Sequence, residues 1–301
     1  MRKDRQPIAW SASDVGGAVS TAVERAGLRG EDKKVLEMVK RKGWKINPET
    51  QGCLHFLAKR RTDNNEQSHL ADTLEIIQLV PEEIQQAAML HDIGKTGPRE
   101  ESTSLENSES SKLQQLITSM FAFSFKLPTE GLTISQFVDE MFKNKEKISL
   151  INVEIEKTEA IQLLTKIGLD IDKDVRSGFL QKHVEWGKDM LDNDPNITDQ
   201  TKFIALNHHA FISEQNVEIE GFEPTEDDKK KTFFLEVVDY YQASRRRGKK
   251  DHNESSVFTK RRFEEKLKTK PEGEQEKIKQ WLKEVFKIID EKQIAIFENK
   301  V

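Results

Sequence analysis

Apolar residues recur along most of this chain three or four positions apart, and alternating apolar–polar runs of the kind half-buried strands need are few. The spaces are filled with helix formers: Glu, Lys, Gln and Leu are plentiful, and Pro is scarce. The pattern predicts an all-α protein. Its clearest early helix is EDKKVLEMVKRKG, with Gly43 as the stop. A second, from Thr50 to Arg60, carries Leu54, Phe56 and Leu57, and residues 1–62 read as a leading helical segment. Over residues 66–79, Leu70, Thr73, Leu74, Ile77 and Leu79 keep helical spacing around His69. Pro81 opens the next helix, PEEIQQAAMLHDIGK, in a first turn where its missing N–H costs nothing.

The periodicity fails at REESTSLENSESSK, residues 99–112, a serine-rich stretch with nothing to bury that predicts an exposed loop. Helix resumes with KLQQLITSMFAFSFKL, a short strand is expected in ISLINVEIE, and EKTEAIQLLTKIG is helical again. Residues of about 99–172 therefore form a helical insertion within a unit spanning 63–250. The tail, 251–301, is strongly amphipathic. Trp281, Val285, Phe286, Ile288 and Ile289 mark an apolar face suited to core packing or to a homodimer contact.

Composition narrows the class. Charged residues are 34% of the chain and hydrophobic ones 35%, as expected of helices with heavily charged outer faces. A net charge of -5 argues against a protein that coats nucleic acid or a membrane surface. Cys53 is the only cysteine, so an internal disulfide is excluded. With no signal peptide in the sequence, a cytoplasmic setting is expected. No uncharged apolar run nears the ~18 residues that would span a bilayer, so the expectation is a soluble protein.

Candidate chemistry lies at the end of the fourth apolar run, in AAMLHDIGK. His91 and Asp92 are adjacent, so on a regular helix they point about 100° apart. They share a centre only if the helix bends or ends there, which Gly94 allows. His208 and His209 are likewise adjacent, inside the apolar run FIALNHHAFIS. Imidazoles buried without partners are unfavourable, and a metal supplies the partner. Asp239 sits in FFLEVVDYYQAS, where a buried carboxylate needs a counter-charge such as a divalent cation. His183 lies in LQKHVEWGKDML. These imidazoles and carboxylates, with no thiolate, suit Fe, Mn, Zn, Ni or Co better than a structural zinc. Two such ions hold a phosphoryl group from both sides and lower the pKa of a bridging water toward neutrality, which yields a hydroxide nucleophile. Lys95 would neutralise charge on the phosphate oxygens.

The ordered pattern H…HD…H…HH…D resembles the HD superfamily of metal-dependent phosphohydrolases, and within it the HD-GYP branch, the cyclic-di-GMP phosphodiesterases. His91-Asp92-Ile93-Gly94-Lys95 matches that branch's HD-x-G-K. HVEWGKDML, from His183 to Leu191, is similar to its H-x-x-x-G-x-x-x-L; His208-His209 stands for its HH pair, and Asp239 with Ala243 and the arginines beyond for its D-x-x-x-A…R. The likeness spans roughly residues 66–248, interrupted by the insertion. It implies an HD-type helical bundle with two divalent ions held by His69, His91, Asp92, His183, His208, His209 and Asp239, Asp92 bridging them. The family's third ion depends on a glutamate one turn before the first histidine, where this chain has Asn65 beside Glu66. The chain departs from the pattern after the HH pair: Ala210-Phe211-Ile212 follows, and Gly221-Phe222 with Pro224 is all that stands for Gly-Tyr-Pro.

The expected function is hydrolysis of a phosphorylated nucleotide, with a cyclic dinucleotide such as cyclic-di-GMP as first candidate. Asp92 and Lys95 are the expected catalytic residues, and Lys95, Arg246 and Arg247 the expected phosphate contacts. For the arginines the alternative is a solvated basic loop, and for His69 a surface histidine. Two other functions stay open: a nucleotide-binding or signalling module with little turnover, and a dNTP or (p)ppGpp phosphohydrolase. His55 and His252 are expected bystanders.

Overall fold

Local capping decides where many of the elements begin and end. The computed structural model of the protein describes residues 37–59, 69–99, 103, 105–124, 129–150, 153–248 and 251–298. Residues 37–42 are helical and stop at Gly43, whose φ of 65° only glycine adopts cheaply, as the sequence predicts. Helix α1, Pro48–Lys59, starts where the Asn47 side chain accepts from the Thr50 N–H at 2.7 Å. Next come α2, His69–Leu79, and α3, Gln85–Leu90, which leads into a 3-10 turn at Ile93–Thr96.

The serine-rich stretch is not all loop. From Asn107 it begins α4, Asn107–Phe123, with the Glu109 carboxylate accepting from the Glu106 N–H at 3.4 Å. Serines that compete with the backbone in a helix interior are well placed in its first turn. Helix α5, Ile134–Phe142, opens on a reciprocal Thr133–Gln136 cap. The single strand expected in ISLINVEIE is a hairpin: β1, Lys147–Ser149, pairs antiparallel with β2, Glu154–Glu156, and Ile148 faces Ile155. Helix α6, Lys157–Lys166, follows, and a π-helical turn, Arg176–Leu180, leads into α7, Lys182–Asp192. The rest comprises α8, Asp199–Leu206; α9, Glu226–Gly248; α10, His252–Leu267; and α11, Glu272–Glu298. The protein is all-α apart from the hairpin, and no helix among the described residues is long and apolar enough to cross a membrane.

Two hydrophobic cores organise these elements. The first takes Leu54, Ile77, Leu90, Leu191, Leu206, Val238 and Ile289, so its members come from α1 through to α11. The second takes Leu116, Phe137 and Leu164 from the inserted stretch and Phe179 from the turn just after it. The described part of the leading segment shares the first core. The Asn47 N–H donates to buried Asp194 at 2.7 Å, and Arg99 joins Glu49 of α1 at 2.9 Å while lying 3.9 Å from Asp189 of α7. The tail joins it too: the Lys292 ammonium donates to the Val80 carbonyl at 2.6 Å.

Candidate metal centre

Helix α3 stops where the chemistry starts. His91 keeps helical angles, but Asp92 leaves them, at φ −105° and ψ 12°, and the chain tightens into the 3-10 turn. That break resolves the 100° problem of adjacent ligands. The Asp92 carboxylate comes to 3.2 Å from His91 Nε2. Gly94 has a different role from the one its position suggested. Its φ is ordinary; a Cβ there would lie 1.8 Å from the His183 carbonyl oxygen and 2.5 Å from the Gly187 nitrogen. The glycine is needed so that α7 can lie directly on the turn, and Gly187 is the matching gap on the helix.

This contact delivers His183. Its Nδ1 sits 2.6 Å from the Leu180 carbonyl, which the π turn presents, and its Nε2 reaches 3.7 Å from Asp92. His208 and His209 lie past the end of α8, not inside a helix as the apolar run suggested. Asn207 explains the difference. Its side chain donates to the Phe203 and Val217 carbonyls and accepts from the Val217 N–H at 2.7 Å, so the helix closes and the chain turns. His208 then places Nε2 3.8 Å from Asp92, with Nδ1 2.6 Å from the Ala205 carbonyl. His209 lies beside it, ring centroids 3.9 Å apart and planes tilted by 44°, and stands 5.3 Å from the His183 ring. Asp239, on α9, comes to 3.7 Å from His91 Nε2.

The three buried histidines share one arrangement. His91, His183 and His208 each turn Nδ1 to the backbone carbonyl three residues earlier, His91 to Ala88 at 2.7 Å. Nδ1 is therefore the donor, and Nε2 faces the centre. None of the three Nε2 atoms makes a hydrogen bond among the described residues. Two overlapping donor groups result, His91, Asp92 and His208 on one side and His183, His208 and His209 on the other, with donor atoms within 4.8 Å of one another in each.

Electrostatics separate the imidazoles. Burial, with Lys95 and His209 nearby, lowers the His183 pKa to about 3. Burial, chiefly, holds His209 at about 4 and His208 well below the ordinary range. Burial also opposes a charge on His91, but the Asp92 and Asp239 carboxylates outweigh it and raise its pKa to about 10. Asp239 is correspondingly held low: burial works against its charge, and His91 more than compensates.

Seven of the residues singled out from the sequence thus meet: His91, Asp92, Lys95, His183, His208, His209 and Asp239. Lys95 points inward, with Nζ 2.5 Å from Asp92 Oδ2. The His69 side chain, and those of Arg246 and Arg247, lie outside the described residues; the backbone of the two arginines is in the last turn of α9. His252 stands apart from the centre, bonded to the Tyr241 hydroxyl at 2.7 Å and paired with Asp290 at 3.1 Å. One supporting residue escaped the sequence reading. Glu236, three positions before Asp239 and buried, accepts from the Phe211 and Ile212 N–H groups at 2.9 and 2.8 Å and so holds the segment after His209. An acid one helical turn from Asp239 on an apolar helix was the available signal. No protein-family model, curated protein or solved structure matches the chain.

Proposed function

We propose that this chain is an HD-type metal-dependent phosphohydrolase acting on a phosphoester of a nucleotide, with a cyclic dinucleotide as first candidate substrate. One observation carries the reading: three buried imidazole Nε2 atoms, without hydrogen bonds among the described residues, converge on Asp92. A buried polar atom without a partner costs roughly 1–3 kcal/mol. Three facing one carboxylate make sense as ligands. His91, Asp92 and Asp239 would hold one divalent ion, and His183, His208 and His209, with the second oxygen of Asp92, another. Imidazole and carboxylate without thiolate fit Fe, Mn, Zn, Ni or Co. Such ions, when bound, polarise phosphoryl oxygens and make a coordinated water acidic enough to lose a proton near neutral pH.

The chain's own residues do the rest. The Nδ1 contacts to Ala88, Leu180 and Ala205 fix the tautomer and orientation of each ring. The low pKa values of His183 and His209 leave their lone pairs free to donate at pH 7. Lys95 puts a positive charge beside Asp92, where the charge that develops on a phosphate oxygen would meet it.

The test is elemental analysis of purified wild type and of a His91→Ala/Asp92→Ala double variant. About two equivalents of a first-row metal in wild type, lost in the variant, are expected. No metal in wild type, and none taken up on reconstitution, overturns the proposal. A panel of cyclic dinucleotides, dNTPs and (p)ppGpp then sorts the substrate. Product from wild type and none from His91→Ala supports a hydrolase; ligand bound without product moves the centre to a sensing role.

A further inference from the structure

Beside the centre runs an open cleft of about 840 Å³, whose lining includes His183, His209 and Asp239. A space of that size is in the range of small-molecule sites and far larger than one phosphate needs. Much of its wall comes from outside the ligand-bearing helices. Arg176 is contributed by the π turn that follows the insertion, and Arg261 and Arg262 by α10; all three are exposed. Apart from Asp239, the cleft contains one carboxylate, Glu265, which takes Arg261 at 3.0 Å. The cleft is therefore net basic in a chain that is net acidic. Two aromatic side chains, Tyr240 and Phe258, line it as well, and Phe258 is 46% exposed, uncommon for a residue of that size in this molecule. Ser244, also in the lining, is 8% exposed, yet its Oγ has no hydrogen-bond partner among the described residues.

We infer that Arg176, Arg261 and Arg262 bind a second phosphoryl group of the substrate, distant from the one that reacts, while Phe258 and Tyr240 receive a nucleobase. The inference rests on the proposed function, because the metal centre is what fixes the first phosphate. Guanidinium groups suit a phosphate with several acceptor oxygens and are weakly hydrated, so they bind one more readily than ammonium groups do. An exposed aromatic ring beside them offers a stacking face that does not depend on the identity of the base. The Ser244 hydroxyl is a polar group at the same wall that has no hydrogen-bond partner among the described residues. The substrate class is then a nucleotide with two separated phosphates. Specificity would be set by the π turn after the insertion and by α10, not by the histidine-bearing helices alone.

The experiment measures binding to the Mn-loaded full chain by calorimetry, with four probes: inorganic phosphate, guanosine 5′-monophosphate, guanosine 3′,5′-bisphosphate and cyclic-di-GMP. Wild type is expected to bind at least one of the two-phosphate ligands about tenfold or more tighter than the monophosphate, the gain of one charge-assisted contact. Which of the two is favoured reports the spacing of the phosphates. Arg176→Ala and the Arg261→Ala/Arg262→Ala double variant should each bring that ratio toward one, leaving inorganic phosphate binding and metal content as in wild type. Phe258→Ala should weaken all three nucleotides but not inorganic phosphate. A wild-type ratio near one overturns the inference, as does a ratio untouched by the arginine substitutions. So does an equal loss for every probe including inorganic phosphate, since the arginines would then supply only a general field. Absence of metal and of phosphate binding in wild type is a different failure, that of the proposed function itself.

Discussion

Gly94 has the strictest requirement of any residue at the centre. A methyl group there meets backbone atoms of α7, the His183 carbonyl oxygen at 1.8 Å and the Gly187 nitrogen at 2.5 Å, which cannot rotate away as a side chain can. Gly94→Ala is expected to cost at least the ~1–3 kcal/mol of overpacking a filled core, and to reduce metal content because α7 carries His183. Gly187→Ala meets the Leu206 side chain at 3.3 Å and the Gly94 backbone at ordinary contact distances of 3.6 and 3.8 Å, and should cost less. Denaturant midpoints with elemental analysis check both; equal, small effects would show that the helix stands off the turn. Glu236 gives a pH signature. Burial pushes its carboxyl up to about 8, against the two N–H donors, while an ordinary glutamate stays near 4.5. The folded chain therefore keeps a proton that the unfolded chain gives up. The stability this contributes is complete below pH 4.5 and is lost as pH rises through about 8, with a slope approaching ~1.4 kcal/mol per pH unit. Glu236→Gln should flatten the decline between pH 5 and 8; a decline that persists unchanged assigns it to other groups.

At the scale of elements, the π turn joins the insertion to the centre. Phe179 is fully buried in the second core and packs on Phe121, centroids 4.6 Å apart, and its neighbour Leu180 holds the His183 ring. π turns are rare and recur at functional sites. Phe179→Ala should destabilise the protein by ~3–5 kcal/mol and Leu164→Ala, in the same core on α6, by ~2–5 kcal/mol. Only Phe179→Ala is expected to weaken metal binding, because only it loosens the turn. Equal metal affinities in the two variants would show that the insertion is mechanically separate from the centre.

For the whole molecule, the proposed ligands come from four places: the end of α3, α7, the turn after α8, and α9. An ion bound there would tie together elements far apart in the chain and would stabilise the fold by mass action, by about 2.7 kcal/mol at one hundred times its dissociation constant. Metal-loaded wild type should melt at a higher temperature than chelator-treated protein. The His91→Ala/Asp92→Ala variant should show no such difference, and a wild type indifferent to chelation would mean that the histidines do not share a metal. The tail belongs to this same body. Lys292 of α11 is bonded to Val80, just before the helix that carries His91, and Val285 and Ile289 complete the first core, so the apolar stripe of the tail is core packing.

The sequence by itself determined the helical class, the end of the first helix at Gly43, and the residues that meet at the centre. Periodicity, the φ of a glycine, and the presence of His and Asp in apolar runs are local properties, written in consecutive positions. Only the tertiary structure decided the rest. The helix breaks at His91 and Asn207 depend on bonds to distant partners: the close seating of α7 on Gly94, and the clasp of Asn207 on Val217 ten residues on. The hairpin of β1 and β2 depends on Ile148 finding Ile155, which a single run of residues does not specify. The three Nε2 atoms share one centre because α3, α7 and the turn after α8 pack against one another. Contacts of this kind form only as the chain folds, and the pattern of apolar and polar positions along the sequence does not specify them.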